Sequence, residues 1–315
     1  MAAEVEQTQP RPPTPAPDGY RWFTSAVSLA PPLVLTCLVV VIGREAWPAI
    51  SHYGLRFLIV RAWNPVRLDF GALTFIYGTL VTSALALLAA FPVGVAVALF
   101  LAEPGARRVR SVMGTGIELL AAIPSVVYGI WGLYVLAPWL LLHVSGPVSQ
   151  RLGTLPLFAG PARQSSILTA SVVLAVMVLP TLAAVSREVV RAIPAGLKEA
   201  SFALGATWWE TTWRVVLPAA RPGIFGATIL ALGRALGETI AVTMTIGNRP
   251  EVQSSVFGSA YTLASVIANE FTEATGQLYP AALLELGLIL IMITLLVNVG
   301  ALLLVRRVTE PGPAR

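Results

Sequence analysis

Charge is scarce in this chain: 12% of its 315 residues are Asp, Glu, Lys or Arg, against about 25% in soluble domains. The composition therefore fits a bilayer rather than water as the main solvent. Lysine is almost missing, and its single example, Lys198, follows Leu197. A phosphate-cradling G-x-x-x-x-G-K-[ST] loop needs Lys directly after Gly, so any ATP hydrolysis linked to this protein belongs to another polypeptide. One cysteine, Cys37, excludes an intrachain disulfide and reads as a small apolar packing residue. His52 and His143 have no carboxylate or cysteine at metal-ligand spacing, so no zinc pattern exists. The apolar runs hold no H-E-x-x-H and no G-x-S-x-G, which removes the usual signatures of a membrane-embedded enzyme. The formal net charge is +5, but the arginines are scattered between apolar runs without interleaved aromatics, and nucleic acid is not an expected partner.

What is present is apolar length. Runs that suit about 30 Å of hydrocarbon, roughly 20 residues each, lie near 24–43, 72–101, 117–142, 165–186, 221–246 and 281–305. An all-α, polytopic protein with six membrane spans is expected. Residues 1–20 hold five prolines, two glutamates and one aspartate, and read as a disordered tail. That tail lacks the basic start of a signal peptide, and no small-residue cleavage site follows the first run, so residues 21–71 are expected to form a retained first span and an outer loop. Trp47, Tyr53, Phe57, Trp63 and Phe70 suit that loop to the membrane interface. With both termini in the cytoplasm, thirteen Lys and Arg fall inside and seven outside, the sense of the positive-inside bias. Residues 187–220 then form a cytoplasmic loop.

Two constellations stand out. In the loop, Phe202, Ala206, Trp209, Trp213 and Val216 fall on one face if the segment is helical. Gly205 interrupts that face, allowing two short helices to meet at an angle or a neighbouring backbone to come close. Glu199 is placed for a helix N-terminus after the break at Pro194. In the fifth run, Arg234 and Glu238 are four residues apart, on one face of a continuous helix, each the natural partner of the other. Charges in lipid are costly, about 2.5–3.5 kcal/mol each at the centre of a span. The pair either neutralises itself between helices or offers Arg234 to an anion in a transport path, with Glu238 restraining it. Glu118 is expected to open the third span, Pro124 to bend it, Glu285 to lie at the interface, and the polar patch Tyr77, Thr79, Thr82 and Ser83 to join helices or line a conduit.

The loop resembles the one by which permeases of bacterial ABC importers contact their ATPase: E-A-A, three residues, Gly, nine residues, Ile-x-Leu-Pro. Here the matching residues are Glu199, Ala200, Ser201, Gly205, Val215, Leu217 and Pro218, with Ser and Val as the two departures. R-A-L-G-E-T-I-A-V-T-M-T-I-G-N at 234–248, F-G-A-L-T-F-I-Y-G-T-L at 70–80 and E-L-L-A-A-I-P-S-V-V-Y-G at 118–129 resemble the C-type permeases (PstC) of phosphate importers. The resemblance implies a type I importer permease fold over 72–308, with 187–220 as its coupling loop. It implies no cofactor in this chain, with ATP and Mg held by two partner ATPase subunits. It also implies a homologous A-type permease, a periplasmic or lipid-anchored phosphate-binding protein, and a bacterial inner-membrane location. Another oxyanion such as tungstate, molybdate or sulfate is the alternative cargo. A non-transporting receptor or scaffold is the alternative class, and mid-span charges count against it.

Overall fold

The computed structural model describes residues 18–102 and 107–309. Of the expected disordered tail, residues 1–17 lie outside the described residues, and Asp18–Tyr20 begin the first helix. The architecture is all-α: α1 Asp18–Tyr53, α2 Arg56–Ile59, α3 Leu73–Ala102, α4 Arg107–Ala122, α5 Ser125–Leu152, α6 Ile167–Arg191, α7 Ala195–Ala203, α8 Trp208–Leu236, α9 Ile240–Ile246, α10 Leu263–Glu270 and α11 Leu278–Thr309. The described residues also include a small antiparallel hairpin of β1 Trp63–Asn64 and β2 Asp69–Phe70, with Trp63 opposite Phe70. Six of the helices (α1, α3, α5, α6, α8 and α11) are long and apolar enough to cross a membrane, as the hydropathy predicts.

Apolar side chains gain little by leaving lipid for one another, so membrane helices associate through close backbone approach and polar contacts. Gly78, Thr82, Ala86, Ala90, Gly94 and Ala98 recur every four residues along α3 and are all buried. This strip of small residues meets α6. A Cβ on Gly94 would stand 2.8 Å from Cδ2 of Leu182, so a larger residue there would require the Leu182 side chain to shift. Two-thirds (67%) of the apolar stretch of α6 is buried, whereas no other span exceeds 28%, which makes α6 the centre of the bundle. Its start is fixed by Ser166, whose hydroxyl accepts the Thr169 amide at 3.3 Å.

Three boundaries differ from expectation. Helix α1 does not end near 43 but runs to Tyr53, because Ala46 and Ala49 are fully buried and let it pack along α11. The aromatics that follow form a buried cluster instead of an interfacial belt. Phe57 and Phe70 are buried, Trp63 lies 4.7 Å from Phe70 and 4.8 Å from Phe75, and of the five only Trp47 is exposed. The third run, 117–142, is not one span. Pro124 is extended (φ −62°, ψ 145°) and separates α4 from α5, because a proline resists the helix before it and starts one well. Glu118 therefore sits near the end of α4 and does not open a span. The fifth run is also broken: α8 stops at Leu236, and α9 starts after Gly237–Thr239.

Candidate coupling surface and translocation site

The 187–220 segment consists of two short helical stretches joined at an angle, and local sequence dictates the joint. Helix α7 ends with Gly205 in the left-handed region (φ +84°). The Gly205 amide donates to the Phe202 carbonyl at 2.9 Å and the Ala206 amide to the Ser201 carbonyl at 3.2 Å, the paired bonds of a Schellman stop. Two residues on, Thr207 and Glu210 form a reciprocal capping box that starts α8. The Ser201 and Thr211 hydroxyls, 2.9 Å apart, tie the two helices together. A Cβ on Gly205 would meet nothing within 4 Å of this chain, so glycine is required here for its backbone conformation.

Of the two arrangements that Gly205 allows, the chain adopts two short helices meeting at an angle, and the five apolar residues do not share one exposed face. Phe202, Trp209 and Trp213 are exposed, Ala206 is half-buried in the connection, and Val216 is wholly buried with Val190, Ala220 and Ile224. Glu199 is exposed and fifth in α7, past its first turn; Ala200 beside it is exposed too. Val215 and Leu217 are half-buried. Pro218 follows a π turn over Thr212–Val216, where the Leu217 amide donates to the Thr212 carbonyl. Proline cannot give the Arg214 carbonyl its helical bond, and the wider turn sits where that bond is missing. Trp208, Trp209 and Trp213 border an apolar groove of about 620 Å³ against Phe91–Phe100 of α3.

Arg234 lies in the last turn of α8 and is exposed on a groove of about 560 Å³ shared with Thr181 of α6 and Asn298 of α11. Gly226 and Gly233 form part of its wall. Glu238 is not its partner. The break at Gly237 removes the four-residue helical spacing, and the Glu238 carboxylate instead accepts the Ala241 amide at 3.3 Å, at the start of α9. Among the described residues the ion pairs are Arg187–Glu188 and Arg191–Glu188, both elsewhere. The Tyr128 hydroxyl of α5 donates to the Leu120 carbonyl at 2.8 Å, bridging the break at Pro124. A half-helix end, a guanidinium and an amide thus meet one open groove.

Sequence reading missed Asn298 and Tyr128. The signal for Asn298 was a carboxamide within an otherwise apolar run; its Oδ1 is buried without a hydrogen-bond partner among the described residues. Of the α3 polar patch, Thr79 accepts the Leu263 amide of α10 at 2.9 Å, the Tyr77 hydroxyl donates to the Gln253 carbonyl of a loop at 2.7 Å, and the buried Thr82 hydroxyl has no hydrogen-bond partner among the described residues. Glu285, expected at the interface, is 7% exposed.

Residues 90–310 match the family described as binding-protein-dependent transport system inner membrane component. The chain belongs to that family. It is 45% identical over 278 residues to the phosphate transport system permease protein PstC of Mesorhizobium japonicum, covering 87% of this chain and 85% of that one. To the PstC of Pasteurella multocida it is 44% identical over 294 residues, covering 92% and 90%. Among solved structures it resembles a bacterial alginate ABC transporter (TM-score 0.59, 19% identity, 93% of this chain and 97% of that one). It also resembles the inward-facing MetNI methionine ABC transporter (TM-score 0.55, 20% identity, 75% and 94%). The fold is that of a type I ABC importer permease, and the chain is a membrane component without an active site of its own.

Proposed function

We propose that this inner-membrane component is the C-type permease of an ATP-driven phosphate importer. The observation that carries the reading is identity of 44–45% to phosphate permeases over most of both chains. The site chemistry agrees with it. Arg234 is a fixed cation in a spanning helix, opens on a groove, and has no carboxylate paired with it in this chain among the described residues. Such a cation is costly in lipid and suits an anion passing along a path. Glu238, by capping α9, holds the broken helix whose flanking end carries that cation. The α7–α8 joint, with Glu199, Ala200, Ser201, Gly205, Val215, Leu217 and Pro218, is the surface on which an ATPase docks. The arginine distribution supports placing that joint and both termini in the cytoplasm.

In this reading a second, A-type permease completes the path, and two ATPase subunits carry ATP and Mg. A phosphate-binding protein delivers the anion at the opposite face, and ATP-driven closure of the ATPases rocks the spans between outward- and inward-open states. The test is purification of this chain with its partners, followed by ATP hydrolysis with phosphate-loaded, sulfate-loaded and empty binding protein. Phosphate-specific stimulation is expected. Equal or greater stimulation by sulfate, molybdate or tungstate would assign the cargo to another oxyanion, and hydrolysis indifferent to every anion would support a receptor or scaffold.

A further inference from the structure

At the ends of α3 and α6 nearest α7 lies a polar cavity of about 470 Å³ that shares no lining residue with the Arg234 groove. Arg110, Ser111, Thr115 and Glu118 of α4 line it, with Arg187 and Arg191 of α6. Helix α4 is amphipathic, and it turns its apolar residues Val109, Val112, Met113 and Leu119 outward, where they are exposed. Its polar face therefore meets α6, and Gly114 lies beside Arg187, where a Cβ would stand 3.8 Å from Arg187 Nη1, an ordinary contact distance. Two packed helices thus bring three guanidinium groups to one cavity, with Glu118 as the lining carboxylate. Glu188 bridges Arg187 and Arg191 at 3.2 and 3.7 Å from outside the cavity, but its side chain is 63% exposed and water screens it. The Arg187 side chain, at 23% exposed, is the most desolvated of these three paired charges.

Guanidinium forks match the spacing of phosphate oxygens, and the Ser111 and Thr115 hydroxyls add two donors of the right kind. Basic pockets between membrane helices on the cytoplasmic side hold phospholipid head groups in the same way. We propose that this cavity between α4 and α6 is a binding site for a phosphate group, carried either by an acidic phospholipid or by free orthophosphate on the coupling side. The site is separate from Arg234 and does not depend on the role assigned to it.

The test uses the assembled transporter, purified with its own partner chains, in two arms. In nanodiscs of phosphatidylcholine alone, equilibrium binding of labelled orthophosphate is measured without binding protein or nucleotide. In nanodiscs with a minor fraction of phosphatidylglycerol, retained lipid is counted by native mass spectrometry. Arg110→Gln/Arg191→Gln should weaken binding about tenfold in one arm, and Arg110→Lys/Arg191→Lys should restore only part of it, since the charge is kept but the fork that holds two oxygens is lost. A difference in the first arm identifies free phosphate, and one in the second identifies the lipid. The same binding by the wild type and the Gln variant in both arms would overturn the proposal. Failure of the Gln variant to assemble leaves the decision to the wild type and the Lys variant, where absence of orthophosphate binding together with no enrichment of phosphatidylglycerol would also overturn it.

Discussion

Replacing Gly205 separates two reasons for a glycine in the docking joint. Its φ of +84° lies in the left-handed region, which costs an L-residue about 1–2 kcal/mol, with Asn among the residues that tolerate it best. The space around it is open in this chain, so side-chain volume by itself adds nothing. If conformation is the reason, Gly205→Asn should stay within about threefold of wild type, because Asn serves at helix C′ positions. Gly205→Ala should lower the docking-competent population by about 5–30-fold, the equilibrium equivalent of 1–2 kcal/mol, and β-branched Gly205→Val should be worse still. Gly205→Asp shares much of the backbone tolerance of Asn, so a defect confined to Asp isolates the effect of charge at the interface. The assay is binding-protein-stimulated ATP hydrolysis by the purified complex, with membrane abundance of every subunit as control. An order set by size, with Asn worse than Ala, would refute the conformational argument and show that a partner's backbone fills the open space.

Other consequences follow from the packing and the path. Gly94→Leu should overpack the α3–α6 crossing, where even a Cβ would stand 2.8 Å from Leu182, at a cost of about 1–3 kcal/mol; partial recovery of membrane abundance by Leu182→Ala is the check, and no recovery would place the strain elsewhere. Because Arg234 and Glu238 are not paired within the chain, Glu238→Leu should not restore the uptake that Arg234→Leu abolishes. Rescue of Arg234→Leu by Glu238→Leu would reveal a pair in another state of the transporter. Asn298→Leu should reduce uptake with assembly intact, whereas Asn298→Ser, which keeps a polar group on the groove, should reduce it less; equal effects would make the residue a spacer. With Cys37→Ala as background, a cysteine at Ser254 should react with an impermeant thiol reagent added outside and one at Ala203 should not, both sites being exposed in the fold. The reverse pattern would invert the topology.

The six spans were legible because hydrocarbon thickness sets a length that composition alone can meet. Helix continuity was not legible, since hydropathy is blind to whether an apolar run stays helical. Ile123–Pro124 and Gly237–Thr239 lie inside apolar stretches, so each run looked like one span although the chain breaks there. The break at Gly237 also undid the expected pairing of Arg234 with Glu238, because that pairing rested on helical spacing. At the coupling joint the signals were present in the letters. Gly205 reads as a place where two short helices can meet at an angle, and the capping box T-W-W-E at 207–210, which marks where the second one starts, was the signal left unused. Glu285 and Asn298 owe their surroundings to contacts between distant helices, which no single run discloses.

Transport itself decides the central claim. Proteoliposomes containing this chain with its partner permease and ATPases, supplied with ATP on the ATPase side and loaded binding protein on the other, should accumulate labelled phosphate on the ATPase side. The Arg234→Leu complex, equally assembled, should accumulate none above the ATP-free control. No ATP-dependent phosphate uptake by the wild-type complex, or undiminished uptake by the Arg234→Leu complex, would contradict the account.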